Sequence, residues 1–164
     1  NPTNSNNIFI LTGEAEQTVT TNESIGVLES NDGGLTWHAT SLSWDVNELV
    51  GATRLLMHPT NPNIQFVTVR RPVSQRGIYK TTDGWNSWTQ VFSGSRVYDI
   101  EFKPGDPSIV YAATNNDFLR STSTGDSATF NNITNGLPSN PGTDRIAIAG
   151  GPNPLEDIII GSLK

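Results

Sequence analysis

The sequence predicts an all-β protein made of repeated four-stranded antiparallel units. Three observations carry this. The 164-residue chain holds 15 Gly and 10 Pro among abundant Asn, Ser and Thr, a composition of many tight turns. No window sustains apolar residues at i, i+3, i+4 and i+7, so helix is confined to a short piece around Val46–Leu49. The chain also repeats itself. A proline–asparagine turn followed by a β-branched run occurs as PTNSNNIFILTG (2–13), HPTNPNIQFVTV (58–69), KPGDPSIVYAAT (103–114) and GPNPLEDIIIGS (151–162). These copies return at intervals of roughly 40–50 residues, stretched by a longer loop in the first, which is the period of β-propeller blades.

Each unit divides into strands A to D. The A strands are expected at Arg54–Met57, Arg96–Lys103 and Arg145–Ala149. The B strands follow at Ile8–Leu11, Ile64–Arg70, Ile109–Thr114 and Asp157–Gly161, and the C strands at Ile25–Glu29, Gly77–Thr81 and Phe118–Ser121. The D strands are expected at Thr36–Thr40, Ser87–Val91 and Thr129–Ile133. The B strands IVYAA and DIII are apolar on both faces, as strands covered on both sides are. The blade segments run approximately 1–43, 44–93, 94–134 and 135–164, the last incomplete. That makes about three blades and part of a fourth, short of the roughly 4–8 of a closed ring. The chain is therefore expected to be a portion of a larger polypeptide, or to close against another subunit.

The C–D turns carry the most distinctive residues, SNDGGLTW (30–37) and TTDGWNSW (81–88). Gly33 and Gly34 supply the positive φ of a tight turn. Asp32 and Asp83 are expected to accept hydrogen bonds from turn amides, supported by Thr36 and Ser87. Trp37 and Trp88 then open strand D as wedges against a neighbour, each able to bury roughly 150–250 Å². A calcium loop needs several oxygen ligands at alternating positions, and each run offers one acid. A decayed third copy begins at Ser121-Thr122-Ser123-Thr124-Gly125 and ends at Thr129-Phe130, with Ser123 for the acid and Phe130 for the Trp.

On these residues the chain resembles the Asp-box (BNR) repeat β-propeller family, with its pattern S/T-x-D-x-G-x-T/S-W. Ser30, Asp32, Gly34, Thr36 and Trp37 match it, as do Thr81, Asp83, Ser87 and Trp88; Trp85 stands where the pattern has Gly. The blades are similar to those of sortilin-type propellers, xyloglucanase-type glycosidases and large Bacteroidota-like surface repeat proteins. The resemblance implies that the aspartate turns are structural. It brings no catalytic residue. The Phe-Arg-Ile-Pro segment of sialidases, the cysteine-rich segment that follows sortilin propellers and a xyloglucanase catalytic-acid motif find no match.

Composition narrows the function. With 10 basic and 16 acidic residues, a net charge of −6 and a pI near 4.7, the chain lacks the basic stripe of a nucleic-acid surface. It has no Cys, so no disulfide and no thiol nucleophile. No run approaches the roughly 20 apolar residues of a transmembrane segment. His38 and His58 have no companions at metal-ligand spacing, and no cofactor or metal is expected. Few Lys and Asn/Thr-rich loops lean towards an extracellular or bacterial cell-surface location.

A binding site is expected on the face away from the aspartate turns, where the B–C and D–A loops are long and irregular. Trp44 lies there beside Asp45 and Glu48. The set suits a sugar platform, or an indole that plugs the loop base as local core. Arg70, Arg71 and Arg76 share one B–C loop. They suit a carboxylate or sulfate grip, or solvated charge paired with Glu14, Glu16 or Asp45. Asp99 and Glu101 sit at i and i+2 on strand A, on one face of the innermost strand. They are weak candidates for a hydrolytic acid and base, or partners of Arg54 or Arg145. The expected function is a non-enzymatic secreted or cell-surface module that binds a protein or carbohydrate ligand. The alternative is a glycoside hydrolase acting on a β-glucan or xyloglucan-like polysaccharide.

Overall fold

The computed structural model describes residues 1–13 and 23–135, together with the backbone of two strands at 145–149 and 159–163. Its sheets are β-propeller blades. The first holds β1 (Ile8–Leu11), β2 (Gly26–Ser30) and β3 (His38–Ser43) in that spatial order. The second holds β4 (Gly51–Met57), β5 (Gln65–Arg71), β6 (Gly77–Thr81) and β7 (Thr89–Ser93). The third holds β8 (Val97–Lys103), β9 (Asp106–Thr114), β10 (Phe118–Ser121) and the two-residue β11 (Asn131–Asn132). A further pair joins β12 (Arg145–Ala149) to β13 (Ile159–Leu163), with Ile148 opposite Ile160. Every pairing is antiparallel between sequence neighbours.

Alternation along the strands explains how one sheet fills two cores. Val67, Val69 and Tyr79 project into a core with Val27, Leu42, Trp44, Val50 and Trp85, between the first and second blades. Phe66 and Ile78, one residue out of phase, enter a second core with Ile100, Phe102, Val110, Ala112 and Leu119. A strand pattern apolar on both faces is what this face-to-face stacking requires. Strand β8 lies against both β4 and β12, each an edge strand of its own sheet.

The D strands begin later than the sequence suggests: β3 at His38 and β7 at Thr89. Thr36 and Ser87 remain in the turn, because their amides and hydroxyls are bound to Asp32 and Asp83. Strand β4 starts three residues before the expected Arg54, accommodated by register shifts around Ala52. Strand β13 lies two residues beyond the expected Asp157–Gly161, and residues 157 and 158 are outside the described set. At Gly77 (φ +148°) an added Cβ would lie 1.9 Å from the Phe92 carbonyl oxygen, so only glycine lets β6 approach β7 there.

The segment leading into each B strand and the C–D turn share one face in all three blades, joined by equivalent hydrogen bonds. The amides of Gly33, Gly84 and Thr124 donate to the carbonyls of Asn6, Asn63 and Ser108 at 2.9, 3.1 and 2.7 Å. The Asn6, Asn63 and Ser108 amides in turn donate to the side chains of Asn4, Asn61 and Asp106. The recurrent proline–asparagine run is thus a turn staple that holds its own blade's C–D turn.

Candidate functional site

The aspartate turns are closed hydrogen-bond systems. Ser30 Oγ donates to Asp32 Oδ1 at 2.8 Å and accepts the Gly34 amide at 2.8 Å. Asp32 also accepts the Thr36 amide (2.9 Å) and hydroxyl (2.6 Å). Thr81, Asp83, Trp85 and Ser87 repeat each of these bonds. The Thr36 hydroxyl and amide, with Ser30, hold the Asp32 carboxyl down at about 2, and Ser87 and Thr81 lower Asp83 in the same way. In the third turn Ser121 Oγ still accepts the Gly125 amide, and the Thr129 hydroxyl meets it at 2.6 Å. The hydroxyl anchor therefore persists where the acid is gone.

The principal wedge is not a motif tryptophan. Trp88 is 42 % exposed, whereas Trp85 is 1 % exposed. Trp85 occupies the glycine slot with φ +67°, and its indole N–H donates to Gln65 Oε1 at 2.9 Å. Its carbonyl accepts the amide and hydroxyl of Ser41 on β3, and Trp88 Nε1 donates back to the Ser41 carbonyl at 3.1 Å. The second blade is stitched to the first through this turn. A second stitch joins the next pair: Lys80, 6 % exposed, donates to the Thr124 carbonyl (2.6 Å) and to Asp126 (2.7 Å). Sequence reading missed Trp85 and Lys80 as anchors; the signal for Trp85 was its substitution for the turn glycine.

On the opposite face, Trp44 is buried in the first core, edge-on to Tyr79 at 5.8 Å. Asp45 caps the 3-10 turn Val46–Glu48, accepting the Asn47 amide at 2.8 Å, while Glu48 accepts the Asp45 amide at 2.7 Å. This is a capping box, with both carboxylates turned to their own backbone. Of the three arginines, Arg71 faces the first blade. It makes a two-point pair with Glu23 and donates to the Leu49 carbonyl at 3.0 Å. Arg70 faces the third blade, its guanidinium 5.9 Å from the Tyr98 ring centre. Arg76 Nε donates to the Arg70 carbonyl at 3.0 Å. The structure thus splits the three between two seams. The alternative partners Glu14 and Glu16 lie outside the described residues.

On the inner strands, Arg54 of β4 binds Asp99 (3.4 Å) and Glu101, both on β8. The i, i+2 spacing places the two carboxylates on one face, and a single guanidinium spans them across the seam. His58 Nδ1 accepts the amides of Thr60 and Asn61, and burial, with the charge of Lys80, holds its imidazole below the ordinary value. Among the described residues no group of three His, Cys, Asp or Glu is placed to hold a metal ion, and no helix is long and apolar enough to cross a membrane.

No protein-family model matches the chain, and no curated protein does. Solved structures do. An ancestral GH74 enzyme aligns over 91 % of this chain and 19 % of its own, at 20 % identity and a TM-score of 0.65. The Niastella koreensis GH74 enzyme aligns over 80 % of this chain and 21 % of its own, at 24 % identity and a TM-score of 0.57. The chain spans about a fifth of the length of either enzyme. At these identities the likeness is one of fold: the repeated sheets are propeller blades.

Proposed function

We propose that these blades belong to a propeller that hydrolyses a β-linked polysaccharide of the β-glucan or xyloglucan class. The observation that carries the reading is the likeness in fold of 91 % and 80 % of the chain to two GH74 enzymes. Glycoside hydrolysis needs two carboxyl groups flanking the scissile bond, one to protonate the leaving oxygen and one to serve as base or nucleophile. Asp99 and Glu101 are carboxylates on an inner strand, but both give an oxygen to Arg54. In this reading Arg54 ties the inner strands together, these blades supply scaffold and substrate contacts, and the reacting acids stand on other blades of the same polypeptide.

Incubating the full-length polypeptide with xyloglucan and mixed-linkage β-glucan is expected to release new reducing ends. Substitution of Asp99 by Asn is expected to slow turnover only as far as it loosens the fold. Absence of reducing ends with every β-glucan tried would remove the hydrolytic reading. The non-enzymatic reading draws on the same inner-strand geometry and predicts saturable binding to a glycan or protein with no bond cleavage.

A further inference from the structure

The chain carries a net charge of −6, yet one rim gathers positive charge. Arg70 and Arg76 lie on the same side of the second sheet, in phase with Phe66, Thr68 and Ile78, which face the third blade. The strand opposite them, β8, opens just after the exposed Arg96, and its first carbonyl, that of Val97, accepts from Thr53 of the second blade at 2.9 Å. Arg70 and Arg76 therefore stand at one end of one seam, and Arg96 immediately precedes the strand that faces them. Arg54, Arg71 and Lys80 each have a carboxylate partner; Arg70, Arg76 and Arg96 have none among the described residues. Their neighbours position them without neutralising them. Arg70 lies over the ring of the buried Tyr98, and Arg76 spends its Nε on the Arg70 carbonyl, which leaves both of its terminal amino groups to a ligand.

We propose that Arg70, Arg76 and Arg96 form an anion-binding rim at the seam of the second and third blades, and that its ligand is the carboxylate of an acidic sugar unit, a uronate, in a polysaccharide. Like charges held together repel, and a bound carboxylate relieves that repulsion while accepting the planar two-point hydrogen bonds that guanidinium groups offer. A nucleic acid does not fit, because three cations on an acidic chain cannot neutralise a phosphate backbone. The choice of a sugar carboxylate rests on the polysaccharide reading above; the anion site itself rests on the arginines.

The test is calorimetric titration of the full-length polypeptide with trigalacturonate, with cellotriose as the neutral probe of the same length. Trigalacturonate is expected to bind about tenfold tighter than cellotriose at low salt, with the difference lost at high salt. Arg70→Gln and Arg76→Gln together are expected to remove that advantage, with the near-ultraviolet circular dichroism unchanged. Lys103→Ala, on the opposite rim, is expected to leave it intact. Equal binding of the two trisaccharides, or an advantage that survives in the double variant, would overturn the proposal. Tighter binding of a sulfated trisaccharide or an acidic peptide than of trigalacturonate would overturn the assignment to a uronate. Reducing-end release is read separately. Hydrolysis of neutral β-glucan without uronate binding sinks this inference alone, and uronate binding without hydrolysis sinks the enzymatic reading alone.

Discussion

The two seams of the molecule are built from the same repeat but use their polar residues differently. Between the first and second blades, the residues that look most like a binding site are occupied by the structure. Trp44 is in the core, Asp45 and Glu48 close a capping box, and Arg71 is held by Glu23 and the Leu49 carbonyl. Between the second and third blades the cross-links lie lower, at Lys80–Asp126 and Arg54–Asp99/Glu101, and the rim keeps arginines without carboxylate partners among the described residues. The difference teaches that residue type in a loop does not separate ligand contact from seam. Direction does: Arg70 and Arg71 are adjacent in sequence and face different blades.

The comparison is broken most severely at Trp85. Trp85→Ala is expected to cost about 3–5 kcal/mol in denaturant unfolding, because it empties a buried site in the first core. Trp88→Ala, at a half-exposed indole, is expected to cost less than half as much by the same measurement. The second seam responds to Asp126. Asp126→Ala strands a nearly buried ammonium and is expected to cost about 2–4 kcal/mol, reduced because the Asp126 side chain is 64 % exposed. Adding Lys80→Met to that variant is expected to restore part of the loss, because an apolar side chain then fills the site in place of an unpaired charge.

The smallest effect is one of pH. Asp32 is held at about 2, below its value of 3.8 in an unconstrained chain, so its ionised form favours the folded state. That contribution is complete above about pH 4 and is lost as the pH falls towards 2; Asp83 acts with the same sign. Thermal melts across this window are expected to fall with pH, and the double variant Asp32→Asn/Asp83→Asn is expected to flatten the fall. An unchanged slope in the double variant would show that other carboxylates carry the acid sensitivity.

Much of the fold was legible because propeller blades are nearly local. The proline–asparagine runs and Ser/Thr-x-Asp turns mark hairpin ends, and hairpins joined in order leave little topology to guess. The start of the D strands was less legible, since whether Thr36 belongs to turn or strand depends on a side-chain bond to Asp32. The site was less legible still. Trp44 reads alike whether it points out or in, and the ring of Tyr79 that receives it lies on β6, far along the chain. Likewise the i, i+2 carboxylates Asp99 and Glu101 were visible in sequence as sharing a face. That one guanidinium, Arg54, spans both depends on the stacking of two blades.

Adjacent arginines test the contrast between the seams most directly. Arg71→Ala and Arg70→Ala differ by one position, and their melting temperatures and trigalacturonate affinities can be measured side by side. Arg71→Ala is expected to cost about 1–3 kcal/mol, a fall of several degrees, through loss of its partly buried pair with Glu23. Arg70→Ala is expected to melt within about a degree of the parent and to lose affinity for the uronate. The reverse pattern, with Arg70 setting the melting temperature and Arg71 the affinity, would contradict the division between an occupied first seam and an available second rim.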